Sequence, residues 1–225
     1  MRRPGEPFAA VIFDLDGVLV DTEIWWDEAR IDFARRHGRS WTEADRTAIM
    51  GGNTREWTIA MRDRMDLPEL PLEVFADEVV GAMVERYRTA ETPRIEGAVE
   101  AVRRIAAEFP VAVASSAHPA VIAAGLHALG LTDAFGAVVS SDEVERGKPE
   151  PDVYRLAATR LGVEPADCLV VEDSLNGVRA GRAAEAAVVL IPNRAVPPAP
   201  GAREAASLVI DRIEQLDPTA ISARV

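Results

Sequence analysis

Residues 8–17 read FAAVIFDLDG, a short apolar run that ends at two aspartates and a glycine. A brief run rich in branched side chains and bounded by polar residues predicts a buried strand. Side chains two apart in a strand point the same way, so Asp14 and Asp16 would face one site at its end, where Gly17 lets the chain turn. A surface turn or a helix cap is the alternative for this acidic pair, but neither explains the apolar strand that leads into it.

Further apolar runs of the same kind follow, with helical patterns between them. The predicted strands are Phe8–Phe13, Val111–Ala114, Ala137–Val139, Cys168–Val171, Val188–Ile191 and Ser207–Ile210. The predicted helices between the later strands are Gly97–Glu108, Pro119–Leu129, Pro151–Leu161 and Asn176–Ala186. Strands that are apolar throughout are typical of a parallel sheet covered on both faces. The alternation of strands and helices predicts an α/β fold with a Rossmann-like, doubly wound parallel sheet.

The alternation breaks once, between the first predicted strand and the second. No convincing strand lies in residues 22–92, and a βα connection of that length is far outside the usual range. Its predicted helices are Ile24–His37, Glu43–Met50, Thr54–Met65 and Leu72–Arg88. We therefore predict a core of residues 1–21 and 93–225, with a helical cap domain, residues 22–92, inserted after the first strand.

Chemistry-bearing side chains follow four of the predicted strands. They are Asp14 and Asp16, Ser115 and Ser116, Lys148, and Glu172 and Asp173. Ligands of open parallel sheets bind beyond the carboxyl ends of the strands, so these residues would meet at one edge. Clustered carboxylates suit Mg²⁺, whereas zinc is disfavoured because the three histidines are scattered along the chain.

Each of these residues also has an ordinary structural interpretation. Glu172 and Asp173 could cap a helix, Lys148 could be a solvated surface charge, and Ser115 could end a strand in a turn or a cap. Pro149 fixes the chain directly after the lysine, at the predicted sheet edge. This context favours a phosphate ligand for Lys148, while for Ser115 both interpretations stay open.

The amino-acid composition disfavours several classes of binding partner. The 225 residues are 48% hydrophobic and carry a net charge of -12, which disfavours nucleic acid and anionic membranes as partners. The single cysteine, Cys168, allows no intrachain disulfide, and no apolar stretch reaches the ~18 residues that span a bilayer. We expect a cytoplasmic protein; its oligomeric state is left open, and a monomer is compatible with the sequence.

Four segments, in the correct order, resemble the motifs of the haloacid dehalogenase-like hydrolase superfamily. They are FDLDGVLVDTE (residues 13–23), VASS (113–116), GKPEPD (147–152) and VEDSLNG (171–177). The match is close to the branch with a helical cap, which includes phosphoglycolate phosphatase-like and β-phosphoglucomutase-like enzymes. The motifs span most of the predicted core, and a cap between the first and second motifs is itself a feature of that branch.

The resemblance implies a magnesium-dependent phosphatase that works through an aspartyl-phosphate. Asp14 would be the nucleophile, and Asp16 would protonate the leaving oxygen and then activate water. Mg²⁺ would be bound by Asp14, the backbone carbonyl of Asp16 and Asp173, with Glu172 as a direct or an outer ligand. The residues that would hold the transferring phosphate are Ser115, Ser116 and Lys148.

Two other functions remain open beside hydrolysis of a small phosphomonoester such as a sugar phosphate. Mutases resembling β-phosphoglucomutase carry a histidine after the first motif and a lysine after the second, and those places hold Trp26 and His118. Arg55 does resemble the cap arginine that grips their substrate, so phosphatase is favoured over sugar-phosphate mutase. A non-catalytic phosphate-binding regulatory protein is the third possibility, and Asp16 argues against it because a pure binder needs no acid there.

The predicted cap contains all four tryptophans, Trp25, Trp26, Trp41 and Trp57. They would form the small core of the cap; alternatively, Trp26 and Trp57 would face the cleft and shape a substrate pocket. One departure from the family lies outside the cap. Glu185 stands where relatives usually have a glycine, at the end of the helix that follows the fourth motif.

Overall fold

Six parallel strands form one sheet in the computed structural model, which describes residues 5–49, 52–194 and 196–225. The strands are β1 Ala10–Phe13, β2 Val111–Ser115, β3 Ala137–Ser140, β4 Cys168–Glu172, β5 Ala187–Leu190 and β6 Leu208–Val209. Their spatial order is β3-β2-β1-β4-β5-β6, and every neighbouring pair is parallel. This confirms the predicted Rossmann-like, doubly wound sheet, in which the strand order reverses at β1.

Helices fill the connections between the strands. They are α1 Glu23–Arg36, α2 Glu43–Ile49, α3 Thr54–Arg64, α4 Leu72–Thr89, α5 Ala98–Ala106, α6 Pro119–Leu129, α7 Asp152–Leu161, α8 Leu175–Ala183, α9 Ala202–Ala205 and α10 Pro218–Ser222. Three 3₁₀ turns lie at Ser141–Glu143, Pro165–Asp167 and Ile213–Gln215. None of the helices in the described ranges is long and apolar enough to cross a bilayer.

Four helices, α1 to α4, lie between β1 and β2, where the sequence predicts a helical insertion. Helices α1 and α3 pack on α4, and α2 packs on α3. Phe33 of α1 and Phe75 of α4 are fully buried against each other, with ring centroids 4.7 Å apart. The exact division of the chain into a core and a cap, at residues 22 and 92, stays a prediction.

Apolar side chains cover both faces of the sheet. Val11 and Phe13 of β1 belong to one buried cluster, and Ala10 and Ile12 belong to the other. The first cluster continues into the inserted helices, so the apolar packing beneath β1 and within the insertion is contiguous. Full burial of such a side chain contributes roughly 1.5–3 kcal/mol, so β1 and the residues that follow it are firmly held.

The elements differ from the sequence predictions mainly at their ends. β1 begins at Ala10, two residues after the predicted start, and β6 is shortened to Leu208–Val209. Helix α8 ends at Ala183, because Glu185 adopts the left-handed conformation with φ of 70° and an α-helix cannot continue through it. Met50, the last residue of one predicted helix, lies outside the described residues.

Candidate active site

The carboxyl ends of three adjacent strands bring the predicted site residues together. Asp14 directly follows β1, which lies between β2 and β4 in the sheet. Ser115 is the last residue of β2, and Glu172 is the last residue of β4. Lys148 reaches the same point from the chain between β3 and α7. The predicted convergence at one edge of the sheet is therefore present.

Lys148 lies at the centre of a buried group of acceptors. Its Nζ donates to Asp14 Oδ1 at 2.6 Å, to Glu172 Oε1 at 2.7 Å and to the Ala114 carbonyl at 3.2 Å. Only 4% of its side chain is exposed. Three acceptors match the three hydrogens of an ammonium group, so Lys148 is a fixed internal cation and not a solvated surface charge. It is also the only lysine in the chain.

Glu172 holds this lysine from the other side. Its Oε1 accepts from Lys148 and, at 2.6 Å, from the hydroxyl of Tyr154. Its Oε2 accepts from the backbone N–H groups of Asp173 and Ser174, and from the Ser174 hydroxyl, at 3.0–3.1 Å. Five donors occupy the two oxygens of a carboxylate that is fully buried. Glu172 is therefore built to orient Lys148, which restricts any direct contact it makes with a metal.

Glycines allow the carboxylates to approach the backbone closely. Gly17 has φ of 84°, and a Cβ added there would lie 2.0 Å from Asp173 Oδ2. A Cβ at Gly177 would lie 1.7 Å from Glu172 Oε1. Any larger residue at either position would displace an acidic side chain. The glycines of the first and fourth motifs thus share one role, which is to leave room for the carboxylate cluster.

Asp16 is held separately from Asp14, by two residues that begin the inserted helices. The Thr22 hydroxyl donates to Asp16 Oδ1, and the indole Nε1 of Trp26 donates to the same oxygen at 3.1 Å. No other described residue donates to the Asp16 carboxylate, so Oδ2 has no protein partner. The two aspartates at the end of β1 are therefore anchored by different parts of the chain.

The acidic cluster fits an oxygen-binding cation. Carboxylate oxygens of Asp14, Glu172 and Asp173 lie within 4.8 Å of one another. With Asp16 the cluster has four carboxylates, and the cations beside it are Lys148 and, next to Asp16, Arg30, so acidic groups outnumber cations. Within the described ranges no donor reaches the carboxylate of Asp173, so its oxygens are available to a ligand. A donor set of carboxylates without histidine or cysteine suits Mg²⁺.

The pKa values reflect this crowding. Burial raises the pKa of Asp14, Lys148 lowers it, and the charges of Glu172 and Asp16 raise it again. Burial also raises the pKa of Asp173, and the charge of Glu172 adds to that rise. For Glu172 burial acts in the same direction, but the ion pair with Lys148 and the hydrogen bonds from Lys148, Tyr154 and Ser174 together outweigh it, so the pKa is lowered. A cation beside Asp14 and Asp173 would favour their ionised forms.

The two serines after β2 lie at the same edge. Ser115 is buried, and its Oγ accepts from the backbone N–H of Ala117 at 3.0 Å. An accepting hydroxyl keeps its own hydrogen, so Ser115 can form this turn and still donate to a ligand. Ser116 is half-buried. The turn interpretation of Ser115 is therefore present in the structure, and it is compatible with the phosphate role that stays a prediction for both serines.

The inserted helices meet the core close to this edge. The backbone N–H of Thr54, which opens α3, donates to Asp142 Oδ1 at 2.7 Å, and Asp142 lies in the turn that follows β3. Arg55 comes next in α3 and is exposed. The structure thus places Arg55 at the end of α3 that touches the core, while its contact with a substrate stays a prediction.

The four tryptophans divide between the two predicted roles, packing within the inserted helices and contact with the site. Trp41 and Trp57 are buried, and Trp25 is half-buried with its ring 5.3 Å from that of Tyr87. Trp26 is buried as well, but its polar edge reaches the site through Asp16. Packing within the inserted helices therefore accounts for three of them, and Trp26 both packs and contacts the site.

Three site residues were missed by sequence reasoning. Tyr154 is fully buried and donates to Glu172, but nothing in the sequence marks it as more than an apolar position of α7. Thr22 lies inside the first motif, and its spacing of six residues from Asp16 gives no sign of contact. Arg30 could have been found, because it follows Trp26 by one helical turn and so shares its face of α1.

Comparison with known proteins gives consistent matches. The model of a family described as haloacid dehalogenase-like hydrolase matches residues 8–185. A bifunctional riboflavin kinase/FMN phosphatase of Arabidopsis thaliana is 32% identical over 82% of this chain, although the match spans only 48% of that longer protein. The fructose-1-phosphate phosphatase YqaB of Escherichia coli (strain K12) is 33% identical over 80% of this chain and 94% of its own length.

Solved structures share the whole fold. A mutant of CbbY from Rhodobacter sphaeroides, in complex with xylulose-(1,5)bisphosphate, has a TM-score of 0.78 and 25% identity, covering 93% of this chain and 96% of that one. The β-phosphoglucomutase of Clostridium difficile has a TM-score of 0.82 and covers 96% of both chains. Its 22% identity supports the fold alone.

Proposed function

The chain belongs to the haloacid dehalogenase-like hydrolases, and from that premise we propose that it hydrolyses a small sugar phosphate with Mg²⁺, through an aspartyl-phosphate on Asp14. Family membership and the phosphatase relatives identify it as a phosphoric monoester hydrolase, which sets aside the non-catalytic alternative. One observation carries the finer proposal: the two aspartates after β1 have separate anchors, Lys148 for Asp14 and the first turn of α1 for Asp16.

Separate anchoring suits two chemical roles. In the first step a carboxylate oxygen of Asp14 attacks phosphorus, and the bond from phosphorus to the ester oxygen breaks as the new O–P bond forms. The departing oxygen takes the proton of Asp16 and leaves as an alcohol. Lys148 orients the Asp14 carboxylate and lowers its pKa against the effect of burial, because both groups are buried and in contact. The pKa still lies at about 8, and bound Mg²⁺ would favour the ionised nucleophile.

The second step returns both aspartates to their starting states. Asp16, now a carboxylate, takes a proton from a water molecule whose oxygen attacks the phosphorus of phospho-Asp14. The bond from phosphorus to the Asp14 oxygen breaks, and inorganic phosphate leaves. Ser115 and Ser116, at the carboxyl end of β2, are the residues whose hydroxyls we assign as donors to the phosphoryl oxygens in both steps.

Asp14, Asp173 and the backbone carbonyl of Asp16 are the groups we assign to Mg²⁺. When bound there, the ion supplies positive charge that offsets the charge of the phosphoryl oxygens. Glu172 is placed behind Lys148, because five donors already occupy its two oxygens. The chain's own contribution to this charge balance is Lys148, which pairs with both Asp14 and Glu172.

Two observations favour a sugar phosphate as substrate: the names of the relatives, and the residues that helices α1 and α3 bring near the sheet edge. One relative is a fructose-1-phosphate phosphatase, and one solved neighbour holds a sugar bisphosphate. Arg55 and Trp26 are the cap residues we assign to the substrate side, since α3 and α1 both begin near the sheet edge. We place this enzyme among phosphatases of small polyhydroxy metabolites.

The mutase alternative finds less support. His118 occupies the position of the mutase lysine, and its Nδ1 accepts from the backbone N–H of Ala120 as the N-cap of α6. Trp26 occupies the position of the mutase histidine and is engaged with Asp16. Neither residue supplies the cation that would hold a second phosphate group, so hydrolysis is the favoured outcome.

A metabolite screen tests the proposal. Purified protein with Mg²⁺ is assayed for phosphate release from a panel of phosphorylated sugars, and the assay is repeated with EDTA. Asp14→Asn should lower kcat/KM by about 10⁴-fold or more, because the nucleophile is lost. Asp133→Asn, at an exposed surface position, is the matched control and should leave the rate unchanged.

The outcomes separate the alternatives. Release that requires both Mg²⁺ and Asp14 supports the proposal. Interconversion of hexose phosphates without net release of phosphate would replace it with the mutase. Full activity in EDTA would contradict the metal assignment, and full activity of Asp14→Asn would contradict the aspartyl-phosphate.

A further inference from the structure

We propose that Trp26 is a positioning residue for proton transfer: with Thr22 it holds one oxygen of Asp16, so that the proton is carried by the other. The inference rests on the proposed function, because it refines how Asp16 protonates the leaving oxygen. It assigns to Trp26 a role different from that of a pocket wall, and it assigns to Oδ2 of Asp16 the proton that the departing alcohol takes.

The hydrogen bonds at Asp16 are one-sided. Oδ1 accepts both from the indole N–H of Trp26, at 3.1 Å, and from the hydroxyl of Thr22. Oδ2 accepts from no group in the described part of the chain. An oxygen whose lone pairs are engaged by two donors is a poor place for a proton. The unengaged Oδ2 is thus the oxygen that carries the proton and offers it to a bound ester.

The two donors form a rigid unit. Thr22 immediately precedes α1, and Trp26 lies one turn further on, with its backbone N–H bonded to the Thr22 carbonyl at 3.1 Å. Thr22 is fully buried, and Trp26 is 6% exposed. Side chains four apart on a helix share one face, so both donors point to Asp16 from the same side. The carboxylate is therefore held against rotation about its own axis.

Arg30 supports the indole from the next turn of α1. Its guanidinium carbon lies 5.1 Å from the ring centroid of Trp26 and 5.9 Å from that of Trp57 in α3. Cations over aromatic faces are attracted to them, and partial burial strengthens the attraction. Arg30 thus holds the face of the ring, which leaves the N–H edge directed at Asp16.

The test compares two leaving groups. A sugar alcohol is a poor leaving group and needs the proton of Asp16, whereas p-nitrophenol leaves without protonation. Trp26→Phe should lower kcat/KM by about 10- to 100-fold for the fastest panel sugar phosphate, and by less than about threefold for p-nitrophenyl phosphate. We compare kcat/KM because it reports the steps up to and including departure of the alcohol. The later attack by water does not affect it.

Trp41→Phe is the matched control. Trp41 is also a buried cap tryptophan, but its Nε1 has no hydrogen-bond partner among the described residues. The same loss of ring volume without loss of a bond to Asp16 should affect both substrates equally. Thr22→Val is the second variant, because it removes the other donor with little change of shape. It should reproduce the leaving-group pattern even if Trp26→Phe folds poorly.

A double variant gives the sharpest outcome. In an Asp16→Asn background, adding Trp26→Phe should change kcat/KM for the sugar phosphate by less than about twofold, because the proton donor is already absent. Equal losses on both substrates, or an undiminished effect in that background, would overturn the inference while the phosphatase stands. A wild-type protein that releases phosphate from neither substrate would overturn the proposed function itself.

Discussion

The site has two sides, which differ in how their polar groups are paired. We call the strand ends of the sheet with Lys148 the core side, and the inserted helices α1 to α4 the cap side. On the core side Lys148 meets three acceptors, and Glu172 meets five donors. On the cap side, buried polar atoms without a partner in the described chain include Arg30 Nε, Trp41 Nε1 and Asp27 Oδ1. Unpaired buried groups are rare in proteins, and ordered water, an ion or a ligand commonly supplies the missing partner. Lys148 and Glu172 are thus fully paired before substrate binds, whereas, within the described chain, unpaired groups remain in the inserted helices and, on the core side, at the Asp173 carboxylate and Ser141 Oγ.

The largest expected effect comes from replacing Lys148, the buried cation of the core side. Lys148→Met leaves Asp14 and Glu172 buried together without a cation, and removal of one partner from a buried ion pair costs about 3–5 kcal/mol. We also expect kcat/KM to fall by about 10³-fold, because Asp14 loses its orientation and the site loses its fixed charge. Denaturant unfolding and kinetics on the same preparation measure both effects.

Lys148→Arg separates charge from shape. Of the 25 lysine and arginine residues of the chain, 24 are arginine, so the single lysine is a specific choice. An ammonium group fits among three acceptors in a space that leaves 4% of the side chain exposed, whereas a planar guanidinium is wider. The arginine variant should lose nearly as much activity as Lys148→Met. Near-normal activity would show that charge alone matters.

The second prediction addresses the cap side through Glu23, the first residue of α1. Burial raises the pKa of Glu23 to about 7 from an ordinary 4.5, and the charge of Asp16 adds to the rise. The folded protein therefore keeps a proton that the unfolded chain has released. The stability that the neutral Glu23 carboxyl contributes is fully present below about pH 4.5 and should be lost as pH rises to about 7.

Glu23→Gln removes this titration. The variant should show a shallower fall in stability over this pH range and exceed the wild type by about 2 kcal/mol at pH 8, as measured by urea unfolding at several pH values. Glu73→Gln, at an exposed position in the first turn of α4, is the control and should keep the slope of the wild type. An unchanged slope in Glu23→Gln would mean that the carboxyl is ionised throughout, and that the cap side tolerates its charge.

The core side was largely predictable from sequence. Apolar runs that stop at Asp14, Ser115 and Glu172 fix where three strands end, and parallel strands bring those ends to one edge. What the runs do not contain is the partner of each group. Lys148 bonds to Asp14, which is 134 residues away in the sequence, and Tyr154 bonds to Glu172, which is 18 residues away. No local sequence pattern encodes such contacts.

The cap side was predicted only as a set of helices. Their positions followed from chain length and periodicity, but the orientation of each side chain depends on how four short helices pack together. Trp26 is an example of what the sequence does not predict. The sequence is compatible with a packed core residue or with a pocket wall, whereas in the structure the buried indole donates its N–H to Asp16. A small number of tertiary contacts decides such a case, and composition does not reveal them.

The smallest expected effect tests whether the core side behaves as a rigid scaffold. Glu185 is exposed just beyond α8 with φ of 70°, a conformation that costs a residue with a Cβ roughly 1–2 kcal/mol. Glu185→Gly should raise the free energy of unfolding by about 0.5–1 kcal/mol, since part of the gain is offset by the greater freedom of glycine in the unfolded chain. Helix α8 begins beside Glu172, so a change at its opposite end should leave kcat/KM unchanged.

Two controls isolate the backbone effect. Glu185→Ala removes the charge but keeps the Cβ, and should be neutral. Gly162→Ala makes the reverse change at the end of α7, where φ is 72° and no atom lies within 4 Å of an added Cβ, so it should cost about 1 kcal/mol. If Glu185→Gly stabilises the protein and also changes kcat/KM, then α8 transmits strain to Glu172, and the core side is less rigid than its paired contacts imply.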